Sequence, residues 1–339
     1  MRAGIESWLL GYWYSTRRPP WYLRLLEPVY RAAFFRVKRK GKTAPARFRS
    51  TLPLIVVGNL TAGGSGKTPL VIRLCQLATE MNFKAGVAST GYGRQSADTR
   101  VVHAGDDARI CGDEPLLLAQ RTGATVVVAK RRHDAIRKLE EMKLDLIISD
   151  DGLQQADLDR DMEFCVVDGA RGLGNGHLLP AGPLREPATR LRQVDYVITN
   201  GVWTGKPADV DVNLMLLAPG RVCSLADLKE LTVTEFTQKY TGSTIHALAG
   251  IGNPQRFFAM LDALGISVVP HEFPDHYQFT RKDFSSIMPG SAIIMTEKDA
   301  VKCRSLGLES AWYLPVDTHL PRDFESSLKD RLRTLIEEH

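Results

Sequence analysis

Between an apolar run at residues 52–58 and a helical stretch at residues 69–81 lies the octapeptide Thr61-Ala62-Gly63-Gly64-Ser65-Gly66-Lys67-Thr68. Strand, glycine-rich turn and helix in that order bring backbone N–H groups together at a helix N-terminus, where the dipole favours an anion. Lys67 is then placed to reach the β- and γ-phosphates of a nucleotide, and Thr68 to hold Mg²⁺. The usual first glycine of such a loop is Thr61 here, a departure for which the glycines at 63, 64 and 66 compensate. A plain glycine-rich turn with an exposed lysine is the competing reading, and the flanking strand and helix count against it.

A loop of this kind needs a sheet behind it, and the chain supplies one. The runs KAGVAS, ATVVVA, LDLIISD, MEFCVVD and VDYVITN follow at intervals filled by helical segments such as residues 131–142. Short unbroken apolar runs read as strands buried on both faces, and their alternation with helices predicts a parallel sheet in an α/β domain. The strand LDLIISD ends in Asp150 and Asp151, so a pair of hard oxygen ligands stands at the sheet edge where the phosphates would be. Asp-Asp-Gly after a strand is also an ordinary turn; the phosphate loop tips the balance toward a metal site.

Near residue 211 the rhythm breaks. VNLMLLA, Pro219-Gly220 and RVCSL read as two strands joined by a tight turn, and this hairpin is the expected linker. Beyond it TIHALAG, a helix after Asn253-Pro254, ISVVP, SAIIMT, a helix from Thr296 and a terminal helix from about Pro321 repeat the theme on a smaller scale. The expected organisation is an N-terminal interfacial segment at 1–50, a phosphate-loop domain at 51–209, the linker at 210–226 and a second α/β domain at 227–339. A chain of 339 residues, 44% apolar and 24% charged, has room for two cores of ordinary size.

Charge is unevenly spread. Residues 1–50 hold twelve Lys/Arg against two acids, so the formal +5 of the whole leaves −5 for the other 289 residues. Ten of the 26 aromatic residues also fall there, Trp8, Tyr12, Trp13, Tyr14, Trp21, Tyr22, Tyr30, Phe34 and Phe35 among them. Rings with polar tips among arginines suit the headgroup region of an anionic leaflet, which predicts an amphipathic membrane helix broken near Pro19 and Pro20. Packing of the helix on the protein, with its arginines simply solvated, is the alternative. No stretch of about 18 uninterrupted apolar residues exists, so membrane contact is expected to be peripheral. Basic residues are not distributed along the folded domains and no binding module is recognisable, so nucleic acid is not the expected partner. Five scattered cysteines without a C-x-x-C pair, and an N-terminus without a signal-peptide layout, fit a reducing cytoplasm.

Three polar clusters remain: CGDEP at residues 111–115, LLPAGPLREP at 178–187 and FPDHYQF at 273–279. Asp113 suits a helix cap as well as a catalytic carboxylate. His276 suits a solvated surface position, or, beside Asp275 and Tyr277, a buried polar one.

Taken together, GNLTAGGSGKTP, GYGR, GDEP, DDGLQ, GNGHLLPAGPLREP, DHYQF and TEKD resemble the tetraacyldisaccharide 4′-kinases, the lipid A 4′-kinases of Gram-negative bacteria, in order and from the N-terminal helix to about Lys302. The resemblance implies transfer of the ATP γ-phosphate to the 4′-hydroxyl of an acylated glucosamine disaccharide 1-phosphate, giving lipid IVA at the cytoplasmic face of the inner membrane. It implies Asp113 as base assisted by His276, and Lys67 and Arg185 as cations. Thr68, Asp150 and Asp151 would hold the metal, with Tyr92, Arg94 and Glu186 in support. No obligate protein partner is implied. Two rivals are a P-loop NTPase acting as a switch or metallochaperone motor, which would turn over nucleotide without a lipid acceptor, and a nucleotide-sensing membrane module, which would leave Asp113 and His276 without a task.

Overall fold

The computed structural model describes residues 2–42, 47–285, 287 and 291–339; residues 43–46, within the expected N-terminal segment, lie outside the described residues. Two helices, α1 (Arg2–Trp13) and α2 (Trp21–Lys42), open the chain, separated at the predicted Pro19-Pro20 break. The first α/β unit then runs β1 (Leu54–Gly58), α3 (Lys67–Glu80), β2 (Ala85–Ser89), β3 (Arg100–Val102), α4 (Ala108–Cys111), α5 (Asp113–Thr122), β4 (Thr125–Val128), α6 (Arg132–Glu140), β5 (Leu146–Asp150), β6 (Met162–Asp168), β7 (Tyr196–Asn200) and β8 (Asn213–Pro219). There follow β9 (Val222–Ser224), β10 (Glu230–Leu231), α7 (Val233–Lys239), β11 (Ile245–Ala249), α8 (Pro254–Ala263), β12 (Val269–Glu272), β13 (Ala292–Thr296), α9 (Glu297–Cys303), β14 (Ala311–Leu314), β15 (Val316–His319) and α10 (Arg322–Glu338).

The strands form two sheets, in the orders β15-β8-β7-β6-β1-β5-β2-β4-β3 and β10-β9-β14-β13-β11-β12. Pairing in the first is parallel except at its two edges, where β3 and β15 run antiparallel to β4 and β8. β1, β2, β5 and β6 are buried along their whole length, as apolar strands covered on both faces must be. β1 lies between β5 and β6, so the loop after β1 and the aspartates ending β5 emerge side by side at one sheet edge. Ligands of open α/β sheets bind at that edge.

Two expectations are corrected. β8 and β9 do not form a hairpin: β8 pairs with β7 and β15 in the first sheet, while β9 pairs with β10 and β14 in the second. The two-stranded crossing between the units is β8 with β15, joined at the boundary by Gly220 N–H donating to the carbonyl of Pro315 at 2.9 Å. Cross-strand partners satisfy backbone groups better than a two-residue turn alone, so each half of the apparent hairpin joined its own sheet. The second unit therefore does not extend to the C-terminus. Leu328 and Leu332 of α10 are buried in the first core, and Arg73 of α3 pairs with Glu325 at 2.6 Å.

The N-terminal helices do not stand apart. Trp13 is buried, with its indole N–H donating to the carbonyl of Pro180 at 3.0 Å, and Leu23 is buried as well. Trp13 therefore belongs to the packed face rather than to an exposed aromatic set. The other face of α2 exposes Trp21, Tyr22, Leu25, Leu26 and Val29, a stripe at helical spacing. No helix among the described residues is long and apolar enough to cross a membrane.

Candidate active site

Buried Asn59, directly after β1, organises the phosphate loop: its side-chain amide donates to the carbonyls of Thr61 at 2.8 Å and Gly63 at 3.2 Å. Its amide oxygen accepts from Lys67 Nζ at 3.3 Å, holding the lysine over the loop. Gly66 has φ +99°, and a Cβ there would lie 2.3 Å from Asn200 Nδ2, so only glycine fits. Asn200, at the end of β7, donates to the carbonyl of Ser65 at 3.2 Å. Thr61 is buried in an isolated bridge with Leu184 and is not among the residues with left-handed backbone, which removes any need for glycine at that position. Ala62, Gly63, Gly64, Ser65, Lys67 and Thr68 line a cleft of about 1040 Å³.

Asp150 and Asp151 line the same cleft and have unlike surroundings. Asp150 is buried with Oδ1 lacking any hydrogen-bond partner, and burial, reinforced by Glu114, pushes its carboxyl up to about 7. Asp151 has a left-handed backbone, φ +54°. Burial would raise its carboxyl, but Lys67 at 3.6 Å and Arg185 at 3.0 Å outweigh that and hold it below the usual carboxylate range. Buried Arg132, at the start of α6, donates to the carbonyls of Asp150 at 2.7 Å and Asp151 at 3.1 Å and so fixes the turn. An oxygen left unsatisfied in a buried carboxylate, in a cleft also lined by Thr68 and a second carboxylate, suits a hard divalent cation whose shell phosphate oxygens would complete.

The opposite wall comes from the second unit. His276, at φ +59°, sets Nδ1 3.0 Å from Asp113 Oδ2 and 3.2 Å from Oδ1. Gly112, not Asp113, stands at the N-cap of α5, and the carboxylate faces the histidine. Burial would raise Asp113, but the hydrogen bond from His276 and the charge of Lys298 override it and lower the carboxyl. Burial would lower His276, and the bond to Asp113 overrides it in turn, leaving the imidazole raised above its ordinary value. The result is an Asp113–His276 pair bridging the two units. Tyr92 leans over it, its ring centre 5.0 Å from that of His276.

A second interdomain contact forms on the phosphate loop itself. A Cβ on Gly252 would sit 2.3 Å from Gly64 N, Arg171 donates to the carbonyl of Gly252 at 2.6 Å, and Asn253 donates to Asp168 at 3.0 Å. The loop after β11 thus rests on the backbone that would wrap phosphate.

Arg185 lines the cleft, reaching Asp151 and Asn59. Arg94 and Glu186 do not line it. Arg94 braces its own loop through the carbonyls of Thr90 at 3.2 Å and Asp98 at 2.8 Å. Glu186 is fully buried and accepts from Lys38 Nζ at 2.6 Å and Gln154 Nε2 at 3.2 Å, acting behind Arg185 rather than beside a ligand. Sequence reasoning gave no role to Asn59, Arg132, Asn200 or Lys298. Asn59 had a legible signal, a polar residue closing an apolar strand just before the loop; Arg132 and Asn200 meet their partners only through the sheet.

The comparisons agree along the whole chain. The family model for "Tetraacyldisaccharide-1-P 4'-kinase" matches residues 19–333. Proteins named tetraacyldisaccharide 4′-kinase are similar at 44% identity in Hahella chejuensis, over 97% of each chain, and at 45% in Xanthomonas euvesicatoria, over 96% of each. A crystal structure of LpxK from Aquifex aeolicus in complex with ATP superposes with TM-score 0.71 at 29% identity, covering 98% of this chain and 99% of that one. Phosphate loop, paired aspartates and this similarity together establish that the chain is an ATP-dependent kinase belonging to the tetraacyldisaccharide-1-P 4′-kinase family.

Proposed function

We propose that the interdomain cleft transfers the γ-phosphate of ATP to the 4′-hydroxyl of a tetraacyldisaccharide 1-phosphate, with Asp113 as the base. The observation that carries this reading is the Asp113–His276 pair: His276 lines the same cleft as the phosphate loop, and Asp113 is buried behind it, 3.0 Å from its Nδ1. Asp113 takes the hydroxyl proton as the new O–P bond forms and the bond to the ADP oxygen breaks. His276 orients the carboxylate and stabilises its charge. Lys67 and Arg185 meet the phosphoryl oxygens, exchanging the charge of Asp151 for that of the nucleotide.

Thr68, Asp150 and Asp151 would hold Mg²⁺, and the unpartnered Oδ1 of Asp150 makes it the better direct ligand. When bound, the ion neutralises charge on the β- and γ-phosphates. A base from one unit and a histidine from the other make catalysis depend on closure about the β8–β15 crossing.

The exposed stripe of α2, from Trp21 to Val29, lies on a helix that also carries the exposed residues Arg24, Arg31 and Arg36. This supports peripheral contact with the cytoplasmic face of the inner membrane, where the acceptor's acyl chains reside. The test is incubation with γ-labelled ATP, detergent and acylated disaccharide 1-phosphate. A bisphosphorylated lipid is expected; ATP loss without lipid labelling would restore the switch or motor reading.

A further inference from the structure

The segment Thr296-Glu297-Lys298-Asp299 has no counterpart in a simple phosphate-loop site, yet each of its side chains is engaged. Thr296 caps α9, accepting from the backbone N–H of Asp299 at 3.2 Å and donating to its carboxylate at 2.6 Å. Asp299 also accepts from Gly250 N–H at 2.9 Å, anchoring the start of the loop that rests on the phosphate loop. Glu297 pairs with Arg121 of α5 at 2.6 Å. Thr296 and Asp299 fix the start of α9 within the second unit, Glu297 ties it to α5, and Lys298 reaches into the gap between the units.

Lys298 Nζ lies 2.9 Å from Glu114 Oε1, 3.2 Å from Asp275 Oδ1 and 3.9 Å from Asp113 Oδ2. Two of these carboxylates start α5 in the first unit, and the third precedes His276 in the second. Without the ammonium, three carboxylates would share one largely buried space, which like charges make costly. Burial opposes the charge of Lys298, but Glu114, Asp275 and Asp113 together outweigh it and keep the amine protonated.

We infer that Lys298 is a positioning residue for phosphoryl transfer, a cation from the second domain that holds the Asp113 carboxylate in place against His276 only when the two domains are closed. The inference rests on Asp113 being the base. The groups facing Asp113 are His276, Lys298 and, at longer range, Lys302, all from the second unit, with Glu114 and Asp275 as the opposing charges. Loss of Lys298 leaves Glu114, Asp275 and Asp113 facing one another across the gap, with His276 the remaining close partner of the Asp113 carboxylate. Charge and reach are both needed, and arginine retains the first with a different head shape.

The experiment compares K298M, K298R and D113N for transfer from ATP to acylated disaccharide 1-phosphate between pH 5 and 9, with ATP affinity measured separately by equilibrium binding. For K298M, kcat is expected to fall by about tenfold or more, with ATP affinity within about twofold of wild type. Because Asp113 is held well below this pH range, the loss persists across it, and its confinement to kcat is the signature that a purely structural contact would not give. K298R recovers part of the rate. Wild-type kcat in K298M overturns the inference, as does a loss of ATP affinity in step with kcat, which would make Lys298 a nucleotide ligand. Full activity in D113N overturns instead the base reading on which the inference stands. Should K298M not fold, the D275N/K298M double variant, which relieves one of the facing carboxylates, is held to the same criteria.

Discussion

The hydroxyl of Tyr30, on α2, donates to the backbone carbonyl of Arg185 at 3.0 Å. One residue on, Glu186 takes the ammonium of Lys38, and a turn earlier on α2 Glu27 meets His177 at 2.8 Å and Leu178 N–H at 3.2 Å. The inner face of the helix is therefore the bed on which the Arg185 loop lies, while its outer face exposes Trp21, Tyr22, Leu25, Leu26 and Val29. The proposed lipid contact and the scaffold of the Arg185 loop are two sides of one helix.

Removing the Tyr30 hydroxyl should therefore lower kcat without loosening membrane contact. Tyr30→Phe is expected to cost about fivefold in kcat, the worth of one hydrogen bond of about 1 kcal/mol, at unchanged vesicle flotation. A wild-type kcat in that variant would show that the loop is held without α2.

The two faces of the N-terminal segment should also respond oppositely to substitution. Trp13→Ala removes a buried indole and is expected to cost about 3 kcal/mol of stability, read by denaturant melts. Trp21→Ser with Leu25→Ser leaves the melt in place and reduces flotation on anionic vesicles, because both side chains are exposed. Added salt weakens the arginine contribution, screened over about 10 Å at 0.1 M, and leaves the apolar part standing. Equal flotation of the double variant and wild type would place the lipid contact on another surface.

Lys67→Ala and Thr68→Ala should each nearly abolish transfer while Tm moves by no more than about 3 °C, since both side chains line the cleft rather than a core. Near-normal turnover in either would remove the phosphate-loop assignment. Asp113→Ala should lower kcat by about a hundredfold or more with little change in the KM for ATP, because a base acts in the transition state. A matching loss of nucleotide affinity would make Asp113 a metal or nucleotide ligand instead.

The contact between His276 and Asp113 carries its own pH signature. His276 is raised above 6.5 in the fold, so its contribution to stability is complete below that value and fades as pH rises through the higher folded value. Asp113 is lowered below 3.8, so its contribution is present above that value and is lost only in strong acid. The Tm gap between wild type and His276→Gln is therefore expected to be widest at about pH 5 to 6 and to narrow toward about pH 8.5. A gap that widens with pH would mean that the imidazole is neutral in the pair.

Much of the chemistry was legible along the chain because it depends on near neighbours. A phosphate loop is a local object: strand, small residues and helix follow one another, and Lys67 and Thr68 need only the helix start to be aimed. Asp150 and Asp151 were legible for a similar reason, since an apolar run ending in acids puts them at a strand tip. What tertiary structure decided is which distant segments meet. The apparent hairpin around Pro219-Gly220 became two strands in separate sheets, and α10 returned to the first core, because an apolar segment's partner is chosen by the surface it can bury rather than by its nearest neighbour in sequence. Asp113 and His276 stand 163 residues apart, and Lys298 farther still from the carboxylate it faces. Each is an ordinary polar residue until two folded units close on one another, and only then does burial turn their charges into a site.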